Sequence, residues 1–180
     1  MSKFLKTIEM DGRGGPYHSF NKDYHLVSDT TKVIIVGTIT SPKGRDKGFY
    51  YMSPSNPMYR ILDAYYGNTN FVKYKKEGNI AALIEELKDK DIAFVDVIES
   101  CSNIKDSSLD DDLKDIKLDY EAFKGINENV VMLANSKNAY GALLKIKEHN
   151  NLKNEIKYVY GFRFYKQEDW NITFADIFKK

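Results

Sequence analysis

The sequence predicts an α/β fold, a three-layer α/β/α sandwich around a central parallel four-stranded sheet. Two observations lead there. Four apolar runs are short and rich in β-branched or aromatic residues, as buried strands are. The segments between them carry apolar residues at helical spacing, and such alternation implies a parallel sheet covered by helices. No low-complexity linker or internal repeat interrupts the pattern, so all 180 residues read as one domain, with residues 1–19 as a peripheral N-terminal segment.

In chain order, Lys32–Gly37 is the first strand. Pro57–Tyr66 is the first helix, with Asn56 as a good N-cap and a proline at N1. Asn79–Lys88 places Ile80, Leu83, Ile84 and Leu87 on one helical face, and Ile92–Val97 follows as the second strand. Ser102–Lys117 is polar and acidic and reads as a long surface loop, of a length that is often functional. Val130–Ala134 is the third strand, and the helix Lys137–His149 carries Ala139, Leu143, Leu144 and Ile146. Ile156–Tyr160 is the fourth strand, and a last helix contains Trp170, Phe174 and Ile177.

Composition excludes several classes. Apolar residues make up 42% and charged residues 29%, ordinary for a globular protein. No apolar run approaches the ~18 residues that span a bilayer, and the N-terminus lacks the apolar core of a secretory signal. The single cysteine, Cys101, excludes an intramolecular disulfide and a multi-cysteine metal site, and His18, His25 and His149 show no ligand spacing. A cytoplasmic protein is expected, with no cofactor and no metal. A net charge of +1 means that any nucleic-acid binding relies on a local patch.

The most informative stretch runs from Lys32 to Gly67. Its loop follows the carboxyl end of a strand, where open α/β sheets place ligands. Lys43, Arg45 and Lys47 alternate with Gly44 and could follow a phosphate chain, or form a solvated loop. Tyr50 and Tyr51 could offer one ring as a stacking platform for a base, or pack in the core. Asn56 can read a base edge or hold a water through its amide, and its bland role is the helix cap. Asp96 ends the second strand, where a carboxylate can act as base or cap a turn. Ser108 and Asp110 could hold the acidic loop against the site. Phe162 and Arg163, after the fourth strand, pair an apolar wedge with a phosphate-binding cation, although plain strand extension has the same alternation. Walker-type, GxGxxG and GxSxG signatures are absent.

Taken in order, these motifs resemble the uracil-DNA glycosylase superfamily, most of all its hypoxanthine-DNA glycosylase-like branch. The matching elements are Gly37-Thr38 after the first strand, Tyr50-Tyr51, the turn Pro54-Ser55-Asn56, and the helix start Tyr59-Arg60-Ile61-Leu62. Asp96-Val97 with Cys101, Ser108-Leu109-Asp110, and Asn135 before a Lys-x-Ala helix start follow. The resemblance spans roughly Phe20 to Trp170. Departures are Thr40 for a proline, Met58-Tyr59 for Phe-Trp, Ser136 for glycine, and Tyr160–Phe164 in place of a Pro-Ser-rich loop.

The resemblance implies a monofunctional DNA N-glycosylase that flips a damaged or modified base (uracil, hypoxanthine or related) and hydrolyses its glycosidic bond. Asn56 would be catalytic. Gly37, Thr38, Ile39, Thr40, Tyr50, Tyr51 and Asn135 would bind the base, with backbone N–H groups of Thr38 to Ser41 stabilising it as it departs. Lys43, Arg45, Lys47, Phe162 and Arg163 would touch DNA, single- or double-stranded, and Asp96, Ser108 and Asp110 would support the site. The expected state is a monomer, with a protein partner left open. The alternative is a non-catalytic relative that binds nucleic acid, a nucleotide or a protein; a third is an enzyme acting on free nucleosides or nucleotides.

Overall fold

The computed structural model describes residues 16–103 and 109–179. Its elements are β1 (Pro16–His18), β2 (Val33–Gly37), α1 (Pro42–Arg45), α2 (Met58–Tyr66), α3 (Phe71–Glu77), α4 (Ile80–Asp89), β3 (Ile92–Asp96), β4 (Ile98–Asn103), β5 (Leu113–Leu118), β6 (Val131–Ala134), α5 (Lys137–Asn150), β7 (Ile156–Tyr158) and α6 (Gln167–Phe178). The fold is the predicted sandwich. A parallel sheet in the order β3-β2-β6-β7 forms its centre. Every residue of β2, β3 and β6 is buried, and neighbouring side chains on a strand point to opposite faces. Both faces are therefore covered. Helix α4 packs on β3, α5 on β6 and β2, and α6 on α2.

Register sets the functional edge. Gly37 pairs with Asp96 across β2 and β3, and the Asn135 N–H donates to the Val36 carbonyl at 3.1 Å. Gly37, Asp96 and Asn135 thus stand level at the carboxyl ends of three adjacent strands. The chain crosses from one side of β2 to the other between β3 and β6, which creates a topological switch point at this edge.

One expectation is corrected here. The segment Ser102–Lys117 is not simply a loop. Strand β4 continues β3 almost directly and β5 returns beside it, forming a second, antiparallel sheet in the order β1-β4-β5. Lys114 to Lys117 are exposed, so β5 is held by backbone pairing and shows no apolar alternation. Within the N-terminal segment, Pro16–His18 is an edge strand paired with β4. Among the described residues no helix is long and apolar enough to cross a membrane.

Candidate functional site

At the level edge, Gly37 leaves room for two functional groups at once. A Cβ there would lie 2.7 Å from Asp96 Oδ1 and 2.9 Å from Tyr51 Oη. Any other residue at this position would push the carboxylate or the phenol aside. Tyr51 Oη in turn accepts a 2.8 Å hydrogen bond from Asn135 Nδ2. The Tyr51 ring stands edge-on to Phe94 and to Phe162, at centroid distances of 4.8 and 5.5 Å. Its backbone is left-handed, with φ of 56°. A bulky residue in that region costs on the order of 1–3 kcal/mol and marks a conformation that its surroundings impose. Burial and the nearby Asp96 carboxylate hold the Tyr51 phenol well above its ordinary value, so it stays protonated.

Asp96 anchors the first loop. Its Oδ2 accepts from the Thr40 N–H at 3.0 Å and from Thr40 Oγ1 at 3.3 Å. Burial is the main influence on its charge and pushes its pKa up to about 7, against the two Thr40 donors and Arg45, which favour the anion. A carboxyl that binds its proton more tightly when folded stabilises the fold fully below its unfolded value near 4, and that contribution is lost as pH rises through about 7. Wild-type stability should therefore fall by up to roughly 4 kcal/mol across that window relative to Asp96→Asn. Urea unfolding of both proteins between pH 4 and 8 measures this; parallel curves would place the Asp96 proton elsewhere.

The Thr40 N–H is thereby committed to Asp96, which takes one of the expected backbone donors away from a departing base. Ile39 is half-buried and packs against the core. Thr38 Oγ1 donates to Asp110 Oδ1 at 2.9 Å, and Asp110 Oδ2 accepts from Asn138 Nδ2 at 3.1 Å. Asp110 thus ties the β2 loop to the first turn of α5. Ser108 lies outside the described residues.

The tyrosine pair splits. Tyr51 faces the strand ends, whereas Tyr50 is 1% exposed and donates to Asn21 Oδ1 at 2.8 Å. A ring that buried has no face for a base, so the structure removes Tyr50 from the stacking role. Asn21 also bonds the N–H and carbonyl of Asp96, at 2.9 and 2.8 Å, and Asp119 Oδ2 at 2.9 Å. Sequence reasoning missed this residue, because nothing in its neighbourhood distinguishes a buried amide from a surface one.

Asn56 sits in a β-turn, closed by the Asn56 N–H on the Ser53 carbonyl at 3.0 Å, with Pro54 at its second position. Asn56 Oδ1 accepts from the Met58 N–H at 3.0 Å. Pro57 rather than Asn56 is the N-cap of α2, a correction to the expected cap; the Asn56 bond instead closes a turn just ahead of the helix and leaves Nδ2 as the donor of the amide. Lys75, also absent from the expected set, donates through Nζ to the Ser53 and Asn56 carbonyls at 2.7 and 2.9 Å.

The cations divide as well. Lys43 and Lys47 are exposed. Arg45 is half-buried, with its guanidinium carbon 3.3 Å from the Tyr17 ring centroid, so it folds back on β1 rather than reaching outward for a phosphate. The expected loop is also partly helical, as α1. Beyond β7 the chain turns in a short 3-10 helix rather than extending. That turn points Phe162 inward, stacked on the buried Trp170 at 6.3 Å and 7°. Phe162 therefore backs Tyr51, a correction to its placement on DNA. Among the described residues Phe164, at 75%, and Tyr160, at 60%, are the exposed Phe and Tyr side chains, with exposed Arg163 beside the Phe164 ring. An open cavity of about 300 Å³ lies instead along the free flank of β3, lined by Tyr24, Leu26, Val27, Phe94 and Ala122 among others, and none of Gly37, Tyr51, Asn56 or Asn135 lines it.

No model of a known protein family matches the chain, and no curated protein matches it. Among solved structures, it is similar to a protein from Methanosarcina acetivorans provisionally described as a uracil DNA glycosylase. The TM-score is 0.65 at 18% identity, over 84% of this chain and 94% of that one. The two share a fold.

Proposed function

We propose that the chain is a DNA glycosylase that excises a damaged or modified base, uracil and hypoxanthine being the leading candidates. The observation that carries this reading is the convergence of Tyr51, Asp96 and Asn135 over Gly37 at the switch point, on a fold shared with a protein provisionally described as such an enzyme. Glycosidic cleavage builds positive charge on the sugar and negative charge on the leaving base, so catalysis asks for donors aimed at the base. With Oδ1 held by Met58, Asn56 offers Nδ2 as a donor suited to a carbonyl oxygen of the base. The glycosidic bond then breaks with its electron pair going to the base nitrogen, water adds to the sugar carbon, and the proton that the water sheds passes through solvent to the base anion. The Tyr51 ring, backed by Phe94 and Phe162, supplies the stacking face.

Flipping a base costs a few kcal/mol of unstacking. Phe164 takes the place of the wedge expected of Phe162, and Arg163, Lys43 and Lys47 hold phosphates. Alkali-cleavage assays on oligonucleotides carrying uracil, hypoxanthine or xanthine test the activity. Phe164→Ala should slow excision from duplex about tenfold or more while leaving single-stranded substrate near wild type, since only a duplex has a stack to open. Equal effects on both would remove Phe164 from the wedge. The second reading, a non-catalytic relative, is favoured by one observation: the Thr40 N–H and Asn135 Nδ2 are both committed within the protein. Binding of DNA without release of any base would support it.

A further inference from the structure

We propose that Lys75 is the positioning residue of this site, clamping the Ser53–Asn56 turn so that the Asn56 amide is presented in one orientation. The inference rests on the proposed role of Asn56. Lys75 Nζ bonds both carbonyls that bound the turn, Ser53 at 2.7 Å and Asn56 at 2.9 Å. The Ser53 carbonyl already accepts from the Asn56 N–H, so the ammonium completes a closed ring around the turn. A second pin lies just beyond, where Tyr59 Oη donates to the Tyr50 carbonyl at 2.8 Å.

The lysine is itself held in place. On α2, Asp63 accepts through Oδ1 from Thr69 Oγ1 and the Phe71 N–H, and through Oδ2 from the Val72 N–H. These bonds satisfy the otherwise orphaned first amides of α3 and fix that helix against α2. Lys75, one turn further along α3, is thereby aimed under the turn. It is half-buried, with its Nζ 5.8 Å from the Tyr59 ring centroid. Burial, helped by Arg60, lowers its pKa to about 8, so at neutral pH it is still charged and keeps three donors. Loose lysines seldom order a backbone, because a free side chain loses considerable entropy on being fixed. Here the charge-assisted bonds and the apolar surroundings of the stem offset that loss.

Lys75 touches no part of the site that would meet a base, so its effect on chemistry is carried through Asn56. The Met58 amide reports that effect directly. It lies in the first turn of α2, where no helical carbonyl can accept from it, and its partner is Asn56 Oδ1. Its exchange rate with solvent therefore measures how firmly the Asn56 side chain is held.

The test compares wild type, Lys75→Met and Lys75→Arg by amide hydrogen exchange and by single-turnover excision from DNA. Lys75→Met is expected to raise Met58 exchange at least tenfold. It should slow excision about tenfold at saturating enzyme, with DNA affinity unchanged. Lys75→Arg keeps a two-donor fork and should restore most of both. Should Lys75→Met fail to fold, Lys75→Gln gives the same readout with one weaker donor group. Unchanged Met58 exchange in a folded variant would overturn the proposal whatever the activity. If wild type excises no base at all, the glycosylase reading fails, and the Met58 amide still decides whether Lys75 holds the turn.

Discussion

Asn56→Asp is expected to leave the fold intact and to abolish excision. The two atoms of the Asn56 amide that matter do different things. Oδ1 accepts from the Met58 N–H and so serves the helix start. In the proposed reaction Nδ2 is the donor offered to the base. Aspartate retains the first function, being at least as good an N-terminal acceptor as asparagine. It has no donor to offer, and its charge opposes both the negative charge gathering on the departing base and the phosphates of the substrate. Loss of one such donor typically costs 10²–10³-fold in rate, and the added repulsion acts in the same direction. Asn56→Ala loses both functions. It should be about 1 kcal/mol less stable as well as inactive. The pair separates chemistry from capping: thermal unfolding should distinguish alanine from wild type and leave aspartate near it, while single-turnover excision should be lost in both. Wild-type rates from Asn56→Asp would assign the asparagine to the helix alone and return the catalytic role to other groups at the strand ends.

The parallel sheet was legible because its strands are buried on both faces. Lys32–Gly37, Ile92–Val97 and Val130–Ala134 differ from β2, β3 and β6 by a residue at one end, since strands between two layers of helix are apolar almost throughout, Asp96 at the end of β3 being the one charged residue in them. The edge strand β7 is half-buried and stops two residues earlier than its pattern suggested. Strand β5 gave no signal, because Lys114, Asp115, Ile116 and Lys117 are exposed and the strand is defined by its partner. The site was legible in position more than in detail. Asp96 and Asn135 stand level with Gly37, where the loop after β2 begins. What the residue types do not encode is direction. Tyr50 and Tyr51 are chemically the same, and a single left-handed backbone step decides which one is buried. Phe162 and Phe164 are likewise equivalent until a 3-10 turn sends one inward and the other out. Arg45 was expected on a phosphate because it is basic and near a glycine, yet the Tyr17 ring reaches it first. Lys75 lies in a stretch, FVKYKKE, whose lysines differ only in what happens to be packed above them.

Asn21→Ala is expected to destabilise the protein by at least roughly 3 kcal/mol, several times the effect of an ordinary substitution. The reason is topological. β3 is an edge strand of the parallel sheet. Its pairing with β2 uses the backbone of Asp91 and Val97 at its two ends, and the groups of Asp96 point the other way. No strand lies there to receive them. The Asn21 carboxamide does so instead, accepting from the Asp96 N–H and donating to its carbonyl, as one residue of a neighbouring strand would. The same amide accepts from Tyr50 Oη and donates to Asp119 Oδ2. Truncation to alanine strands four buried groups together, and each such group left unsatisfied costs about 1–3 kcal/mol. Some of that loss is recoverable if water enters, so the lower end of the sum is the sensible expectation. Asn21→Asp sharpens the test. It keeps the two acceptor positions, but it loses both donated bonds and sets a carboxylate against Asp119. It should therefore be no more stable than the alanine variant, although it is nearly isosteric with wild type. Urea unfolding followed by circular dichroism measures both. The consequence for the site follows from the chain of contacts: Asn21 fixes the Asp96 backbone, Asp96 holds Thr40, and Thr40 sets the loop that leads from Gly37. A loss below 1 kcal/mol in Asn21→Ala would mean that water can stand in for the amide, and that the edge of β3 is open to solvent on the folded protein.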